Sequence, residues 1–278
     1  MKIITPQIMG ILNITEDSFS DGGCYLEPER AFKKAEQLID DGAAIIDIGA
    51  ASSNPETKPV LPEMEIDRLN PVIERLLSGN IPVSIDTFNP IVQQYAIQKR
   101  VQYLNDIQGF PDPEIYPELA ESNCKLIVMH SVQRLGPATV VETKPEKVFA
   151  GMIEFFEKRL KALQNAGISL ERIILDPGMG FFLGANPESS TFALKHIGTL
   201  REHFHLPVLV GVSRKSFLSA IVGGRTPLER GAATLASEIY LCERGVEYIR
   251  THDVRALGDA LKVLKTLEGG AENDTLRI

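Results

Sequence analysis

The chain has 278 residues, 44% of them hydrophobic and 24% charged, with a formal net charge of −8 and a mean hydropathy of −0.02. That length and polarity suit one large soluble domain, or at most two. A surface of negative sign repels phosphate backbones and anionic lipid, so neither nucleic-acid nor membrane binding is expected.

The pattern of short apolar runs and helical spacing repeats from end to end. IMGILNI, from Ile8, is the first predicted strand, and it runs into the polar loop NITEDSFSDGG, Asn13 to Gly23. The two terminal glycines and the length of that loop mark it as a lid. In the helix that follows, Ala31, Phe32, Ala35, Leu38 and Ile39 share one face, as the 3.6-residue period requires. AIIDIGA (from Ala44), IPVSID (Ile81), YLNDI (Tyr103) and KLIVMH (Lys125) are the next four strands. The segment from Val132 to Glu146 is a long loop without an assigned role, and a helix with Phe149, Met152, Ile153, Phe156, Leu160 and Leu163 on one face comes after it. RIILDPG (from Arg172) leads to a helical stretch whose His196, His203 and His205 are expected to be solvated. PVLVGVS (from Pro207) includes Val208 to Val212, read as a strand buried on both faces, and ends on Ser213, Arg214 and Lys215. The short amphipathic piece SFLSAIVGG follows, and YIRTHD (from Tyr248) is the eighth strand. Gly42, Gly167 and Gly245 stand where helix C-caps belong. The isolated Cys24, Cys124 and Cys242 form no C-x-x-C pair, which argues against a disulfide framework or structural zinc. No apolar run approaches the ~18 residues of a membrane span, and the N-terminus lacks a cleavable signal pattern. Cytosol is the expected compartment.

Strand–helix alternation demands parallel strands with right-handed crossovers. Eight such units make an α/β protein of the (β/α)8 TIM-barrel type, one domain over residues 1–268, with 269–278 a frayed tail. A doubly wound open sheet is the rival, but it carries a glycine-rich fingerprint after its first strand, absent here. Barrel chemistry sits at the C-terminal strand ends. Those ends are Asn13, Asp47, Asp86, Asn105–Asp106, Met129–His130, Asp176, Ser213–Lys215, and Arg250 with His252. Asp86, Asn105 and Asp176 suit a ligand with paired N–H donors, such as a pterin or purine. Lys215 can donate to a ring carbonyl or nitrogen, and Arg250 can stack on a heteroaromatic face. Asn13, Arg250 and His252 are candidate donors to phosphate oxygens, and the helix start after Lys215 lies where barrels hold anions.

GILNITEDSFSDGG, SIDT, NDIQG, VMH, DPGMGF, VGVSRKSF and IRTHD occur in this order, each at its own strand end. Together they resemble dihydropteroate synthase, from Gly10 to about residue 267. The resemblance implies condensation of 6-hydroxymethyl-7,8-dihydropterin pyrophosphate with p-aminobenzoate, giving 7,8-dihydropteroate and pyrophosphate. It implies that Asp86, Asn105, Asp176 and Lys215 hold the pterin, with Met129 and Arg250 packing on its ring. Asn13, Arg250 and His252 would hold the pyrophosphate with Mg²⁺, Asn13 being the metal-binding residue. Ser53, Phe181, Phe182, Ser213 and Arg214 would border p-aminobenzoate. The catalytic set it implies is Asn13, Asp86, Asp176, Lys215, Arg250 and His252, and family practice implies a homodimer.

Some positions depart from the common pattern. Glu16 replaces a usual proline, Ser53 and Asn54 stand where a Thr–Arg pair is usual, and FFLGANPESS lacks the common Lys–Thr and His–Asn pairs. These departures look like the sulfonamide-insensitive (Sul) branch, which carries a phenylalanine-containing insertion beside the p-aminobenzoate pocket. The added residues fall within Phe181–Gly184, and an aromatic ring there would exclude the bulkier drug tail while admitting substrate. Two rivals share the fold. A catalytically silent pterin-binding paralogue would explain the missing Thr–Arg pair. A pterin-dependent methyltransferase would need no pyrophosphate site, and the Ser–Arg–Lys run and IRTH argue against it.

Overall fold

The computed structural model describes residues 4–14, 28–51, 60–132 and 144–269. The strands are β1 (Gln7–Asn13), β2 (Ile45–Gly49), β3 (Val83–Asp86), β4 (Tyr103–Asp106), β5 (Lys125–Met129), β6 (Ile173–Asp176), β7 (Leu209–Val210) and β8 (Tyr248–Thr251). The helices are α1 (Pro28–Asp40), α2 (Pro62–Ser78), α3 (Pro90–Gln98), α4 (Tyr116–Glu121), α5 (Pro145–Asn165), α6 (Pro187–Lys195), α7 (Ile197–Phe204), α8 (Ser216–Ile221), α9 (Gly231–Cys242) and α10 (Val254–Gly269). Proline opens α1, α2, α3, α5 and α6, a position where its fixed φ suits the helix and its missing N–H costs nothing.

All strand pairs are parallel, in the order β6-β5-β4-β3-β2-β1-β8-β7. A bridge between Leu175 and Val208 joins the two ends, so the sheet closes into the expected TIM barrel. Strand alternation divides the side chains. Met9, Ile45, Tyr103, Ile127, Ile174, Leu209 and Tyr248 form a separate cluster that plugs the lumen. Their neighbours Ile8, Ile46, Leu104, Leu126, Val128, Ile173, Leu175, Val210 and Ile249 join the larger core beneath the helices. The apolar faces expected of α1 and α5 are the ones that pack on this core, with Ile39, Phe149 and Ile153 at their edges. Gly42, Gly167 and Gly245 have φ of 101°, 87° and 74°, the left-handed conformation of a helix terminus.

Two expectations change in detail. Val208 to Val212 is buried apart from Gly211, but ladder pairing covers only Leu209–Val210. Past Val210 the chain turns, and Lys215 N donates to Val212 O at 3.2 Å, so no extended residues remain to pair. His196 is not a solvated surface residue: it is half-buried between α6 and α7, stacked on Phe192 at 4.0 Å between centroids. His203 is exposed and faces Glu157 at 3.1 Å. Most of the first loop, residues 133–143, and the tail beyond Gly269 lie outside the described residues, as do Glu16, Cys24, Ser53 and Asn54.

One glycine fixes the turn after β6. Gly178 has φ of 70°, and a Cβ there would stand 2.3 Å from the carbonyl oxygen of His130. Gly178→Ala therefore adds a left-handed penalty to a backbone clash, and we expect a loss of about 2–4 kcal/mol, measured by urea denaturation followed by circular dichroism.

Candidate active site

Strand alternation carries inward from the plug to the C-terminal rim. Two residues beyond the plug, Asp47, Asn105, Met129, Asp176, Gly211 and Arg250 point into the lumen from β2, β4, β5, β6, the β7 extension and β8. Asp86 stands beside Asn105 in register, and Met129 beside Asp176. Asn13 and His252 lie one layer higher. The same alternation turns Asp106 and His130 outward. Asp106 accepts from Gln93 Nε2 at 3.0 Å and from the backbone N–H groups of Gln108 and Phe110, so it shapes the loop after β4. His130 packs against Phe155 and Phe156 and lies 3.3 Å through Nδ1 from Pro177 O.

Arg250 organises the lumen. Its Nε donates to Asp47 Oδ2 at 2.6 Å and its Nη2 to Asp86 Oδ2 at 2.8 Å. Gly211 lies beside it: a Cβ there would stand 3.6 Å from Arg250 Cβ, an ordinary van der Waals contact. Asp47 was named only as a strand end by the sequence, yet it is completely buried and holds the arginine from below. Its position in Ile45–Asp47–Gly49, alternating inward like Ser84 and Asp86, was the available signal. Asp47 Oδ1, Ser84 Oγ and Asn105 Oδ1 are buried without a hydrogen-bond partner among the described residues. Buried polar atoms are nearly always satisfied, and the Asp47 and Asn105 oxygens are acceptors facing the lumen.

Opposite Arg250, Asp176 Oδ1 accepts from Gly178 N at 2.8 Å, and Lys215 Nζ donates to Met179 O at 3.2 Å. Lys215 also sits 4.8 Å above the centroid of Phe182. A 3₁₀ turn over Gly180–Leu183 carries both phenylalanines. Phe182 is half-buried against the lysine, whereas Phe181 is 69% exposed.

Asp86 and Asp176, buried beside Arg250 and Lys215, titrate away from the ordinary carboxylate range. Burial raises Asp86 to about 7 against the pull of Arg250, with Asp47, Asp106 and Asp176 adding repulsion. Burial likewise raises Asp176 to about 6, partly offset by the Gly178 N–H and by Lys215. Lys215 is lowered to about 8, first by burial, with Asp176 resisting and Arg250 reinforcing. Burial also works against the charge of Arg250, but Asp47 and Asp86 outweigh it and keep the guanidinium firmly protonated. His252 falls to about 3 through burial and then the cations Arg214, Arg250 and Lys215. It is a neutral imidazole, with Nδ1 3.0 Å from Ser213 Oγ and its backbone N–H donating to the same oxygen at 3.2 Å.

Arg214 adopts φ of 61°, unusual for a non-glycine residue. Its N–H donates to Thr234 Oγ1 at 3.1 Å, and its carbonyl accepts from Arg230 Nη1 at 2.6 Å. The left-handed turn lets the successive Ser213 and Lys215 serve opposite sides of the site. Ser53 lies outside the described residues. Every other residue implied for the site stands on the C-terminal rim or on the turn after β6.

A site of paired acceptors beside a deep lysine, under an arginine–histidine rim, agrees with the relatives that sequence and structure return. The family described as pterin binding enzyme matches residues 9–252. The type-3 dihydropteroate synthase of Escherichia coli is 56% identical over 261 residues, covering 94% of this chain and 99% of that protein. The Xanthomonas albilineans dihydropteroate synthase solved with 4-aminobenzoic acid has a TM-score of 0.85 at 34% identity, covering 95% of this chain and 93% of that one. The same enzyme in complex with 7,8-dihydropteroate gives a TM-score of 0.82 over 96% of this chain and 95% of that one, again at 34% identity. The chain belongs to the pterin-binding enzymes, as one of their dihydropteroate synthases.

Proposed function

We propose that this synthase joins 6-hydroxymethyl-7,8-dihydropterin pyrophosphate to p-aminobenzoate in the cytosol, as a Mg²⁺-using homodimer, and that sulfonamides do not inhibit it. The observation that carries the reading is the pair of acid–base couples facing one lumen, Asp47–Arg250–Asp86 on one side and Asp176–Lys215 on the other. Asp86, Asp176 and the unpartnered Asn105 Oδ1 are acceptors for the amino and ring N–H groups of the pterin. Lys215 donates to the ring carbonyl or a ring nitrogen, while Met129 and Arg250 pack on the ring.

The reaction breaks the bond between the pterin methylene carbon and a diphosphate oxygen, which leaves with the electron pair. The aniline nitrogen of p-aminobenzoate forms the new bond to that carbon and then sheds a proton to solvent. That amine is already neutral, so no strong base is needed. Arg250 and His252 stabilise charge growing on the leaving diphosphate. The neutral imidazole supplies one N–H, and an anion beside it draws its pKa back up. Ser213, Arg214 and Phe181 border the p-aminobenzoate side, with Ser53 assigned there by resemblance.

The donor set fits Mg²⁺. Asn13 Oδ1 and Asp86 Oδ2 lie 3.6 and 3.9 Å from the point a Cβ on Gly49 would occupy, so an amide oxygen stands at the rim beside the carboxylate. Among the described residues no three His, Cys, Asp or Glu side chains form a metal cluster. A lone neutral oxygen suits a Mg²⁺ that keeps its waters and phosphate ligands. Bound there through Asn13, the ion would neutralise charge on the leaving group. The cytosolic assignment accords with the free thiols Cys124 and Cys242. Among the described residues no helix is long and apolar enough to cross a membrane. Exposed Ile221, Val222 and Leu228 offer an apolar face to a second copy, which sedimentation equilibrium tests.

Drug exclusion falls to the turn after β6. Phe182 is engaged by Lys215, so the exposed ring of Phe181 is the one free to meet a tail projecting beyond the carboxylate of p-aminobenzoate. Dihydropteroate formation with Mg²⁺ should persist through a sulfamethoxazole titration. Phe181→Ala should lower the inhibition constant by about tenfold or more while leaving kcat/KM for p-aminobenzoate within about twofold. Competitive inhibition of the unsubstituted enzyme at low drug would reject the exclusion reading, and no turnover would reject the activity.

The raised carboxylates give a second expectation. The folded pKa of Asp86 lies above its unfolded value of 3.8, so its contribution to stability is present below that value and is lost as pH rises through about 7. Asp86→Asn removes a costly charge and leaves Arg250 paired with Asp47. At pH 8 the melting temperature of the ligand-free variant should rise by roughly 2–5 °C, with little difference at pH 4, while kcat/KM falls by about 100-fold or more. Thermal scans across pH beside steady-state assays read both.

A further inference from the structure

The turn between β7 and α8 decides where Ser213 and Lys215 stand. Lys215 N donates to Val212 O at 3.2 Å, closing a four-residue turn with Arg214 in its third position. There φ is 61°, a conformation for which that position ordinarily takes glycine. The other described non-glycine residues of positive φ are Asn80, Arg100, Phe110 and His205. Asn80, Arg100 and His205 follow helix ends, where a left-handed residue is common. Arg214 instead leads from a strand toward a helix start. A residue with a Cβ is costly to hold left-handed, so the turn needs support from outside itself.

That support comes from one segment. The 3₁₀ turn Pro227–Arg230 runs directly into α9, and Arg230 and Thr234, four residues apart, share a face. Thr234 is buried, and its Oγ1 accepts from Arg214 N at 3.1 Å. Arg230 Nη1 donates to Arg214 O at 2.6 Å, and its Nε donates to Arg225 O at 2.9 Å. Both backbone polar groups of Arg214 are thus held by neighbouring side chains. The segment is itself fixed, because Thr226 N and Oγ1 donate to Glu229 Oε2 at 2.9 and 2.8 Å in a capping box. On one side of the held residue, Ser213 Oγ lies 3.0 Å from His252 Nδ1. On the other, Lys215 Nζ donates to Met179 O at 3.2 Å and stands 4.8 Å from the Phe182 ring centroid. We propose that Thr234 and Arg230 are positioning residues, which clamp Arg214 in its left-handed turn and so set Ser213 against His252 and Lys215 against the turn after β6. Because the clamp lies between the two, its loss acts on both substrates together.

The inference rests on the roles proposed for Ser213 and Lys215, and the experiment separates the two. Thr234→Val keeps the shape and removes the acceptor, whereas Thr234→Ser keeps the acceptor. The Val variant should raise KM for p-aminobenzoate and for dihydropterin pyrophosphate by about tenfold each, with the Ser variant within about twofold of the unsubstituted enzyme. Arg230→Met, at a half-buried position, should raise both by about threefold. Glycine takes the left-handed conformation freely. In an Arg214→Gly background, adding Thr234→Val should therefore cost about twofold or less, and comparison within that background cancels the missing guanidinium. In crystals of the ligand-free Val variant, Arg214 should leave the left-handed region and Ser213 Oγ should move beyond about 3.5 Å from His252 Nδ1. A Val variant equal to the unsubstituted enzyme, a Ser variant as impaired as the Val variant, or equal losses in both backgrounds would overturn the clamp. If the Val variant does not fold, Arg230→Met carries the same cycle and the same crystallographic comparison. If the unsubstituted enzyme does not turn over, the activity reading fails, and the crystal structures decide the clamp: a displaced turn supports it and an unchanged turn rejects it.

Discussion

Arg250 between Asp47 and Asp86 is the constraint around which the site is arranged. The arginine arrives on β8 and the acids on β2 and β3, so the bridge spans 203 and 164 residues of sequence. It exists only because a closed barrel brings the last strand beside the first. A buried charge pair adds little net stability, but removing the shared arginine would leave two carboxylates uncompensated, at about 3–5 kcal/mol. The bridge therefore ties barrel closure to the orientation of the guanidinium. Asp47 holds the arginine from beneath the lumen, which leaves Asp86 able to share it with a ligand.

The same lumen shows what the fold sets aside for chemistry. A barrel interior is ordinarily filled by layers of apolar side chains, and here the lower layer, from Met9 to Tyr248, is built that way. The layer above exchanges apolar volume for carboxylates, an amide and a guanidinium, and Asp47 Oδ1 and Asn105 Oδ1 have no hydrogen-bond partner among the described residues. The raised pKa values of Asp86 and Asp176 express that cost, since burial favours the protonated carboxyl. Stability is surrendered where recognition needs unsatisfied acceptors.

Most of this arrangement was readable from period and order. The eight apolar runs fix the strands, and their C-terminal ends fix the rim. Within each end a period of two separates function from support, so Asn105 faces the lumen while Asp106 turns to Gln93, and Met129 faces in while His130 meets Phe155. Where the pattern gave too much strand, at Val208 to Val212, burial was correct and pairing was not, because apolar character does not encode the turn imposed by Arg214. The stacking of His196 on Phe192 likewise depends on the kink between α6 and α7.

The turn after β6 links two properties that look separable in the sequence. FFLG supplies one ring to each side of the chain. Phe182 turns in and shares Lys215 with Met179 O, placing an aromatic face against an ammonium already weakened by burial. Phe181 turns out to solvent. Val132 N donates to Phe182 O at 2.9 Å, and Gly180 N donates to Ser190 Oγ at 2.9 Å, so the turn is anchored on both flanks and the rings cannot exchange places by a small backbone shift. A steric filter on such a turn can be rigid without disturbing the pterin side, because the ring that excludes and the ring that supports the lysine are different residues. On the proposed assignment, changes at Phe181 act on selectivity between arylamines, whereas changes at Phe182 act first on Lys215 and through it on the pterin.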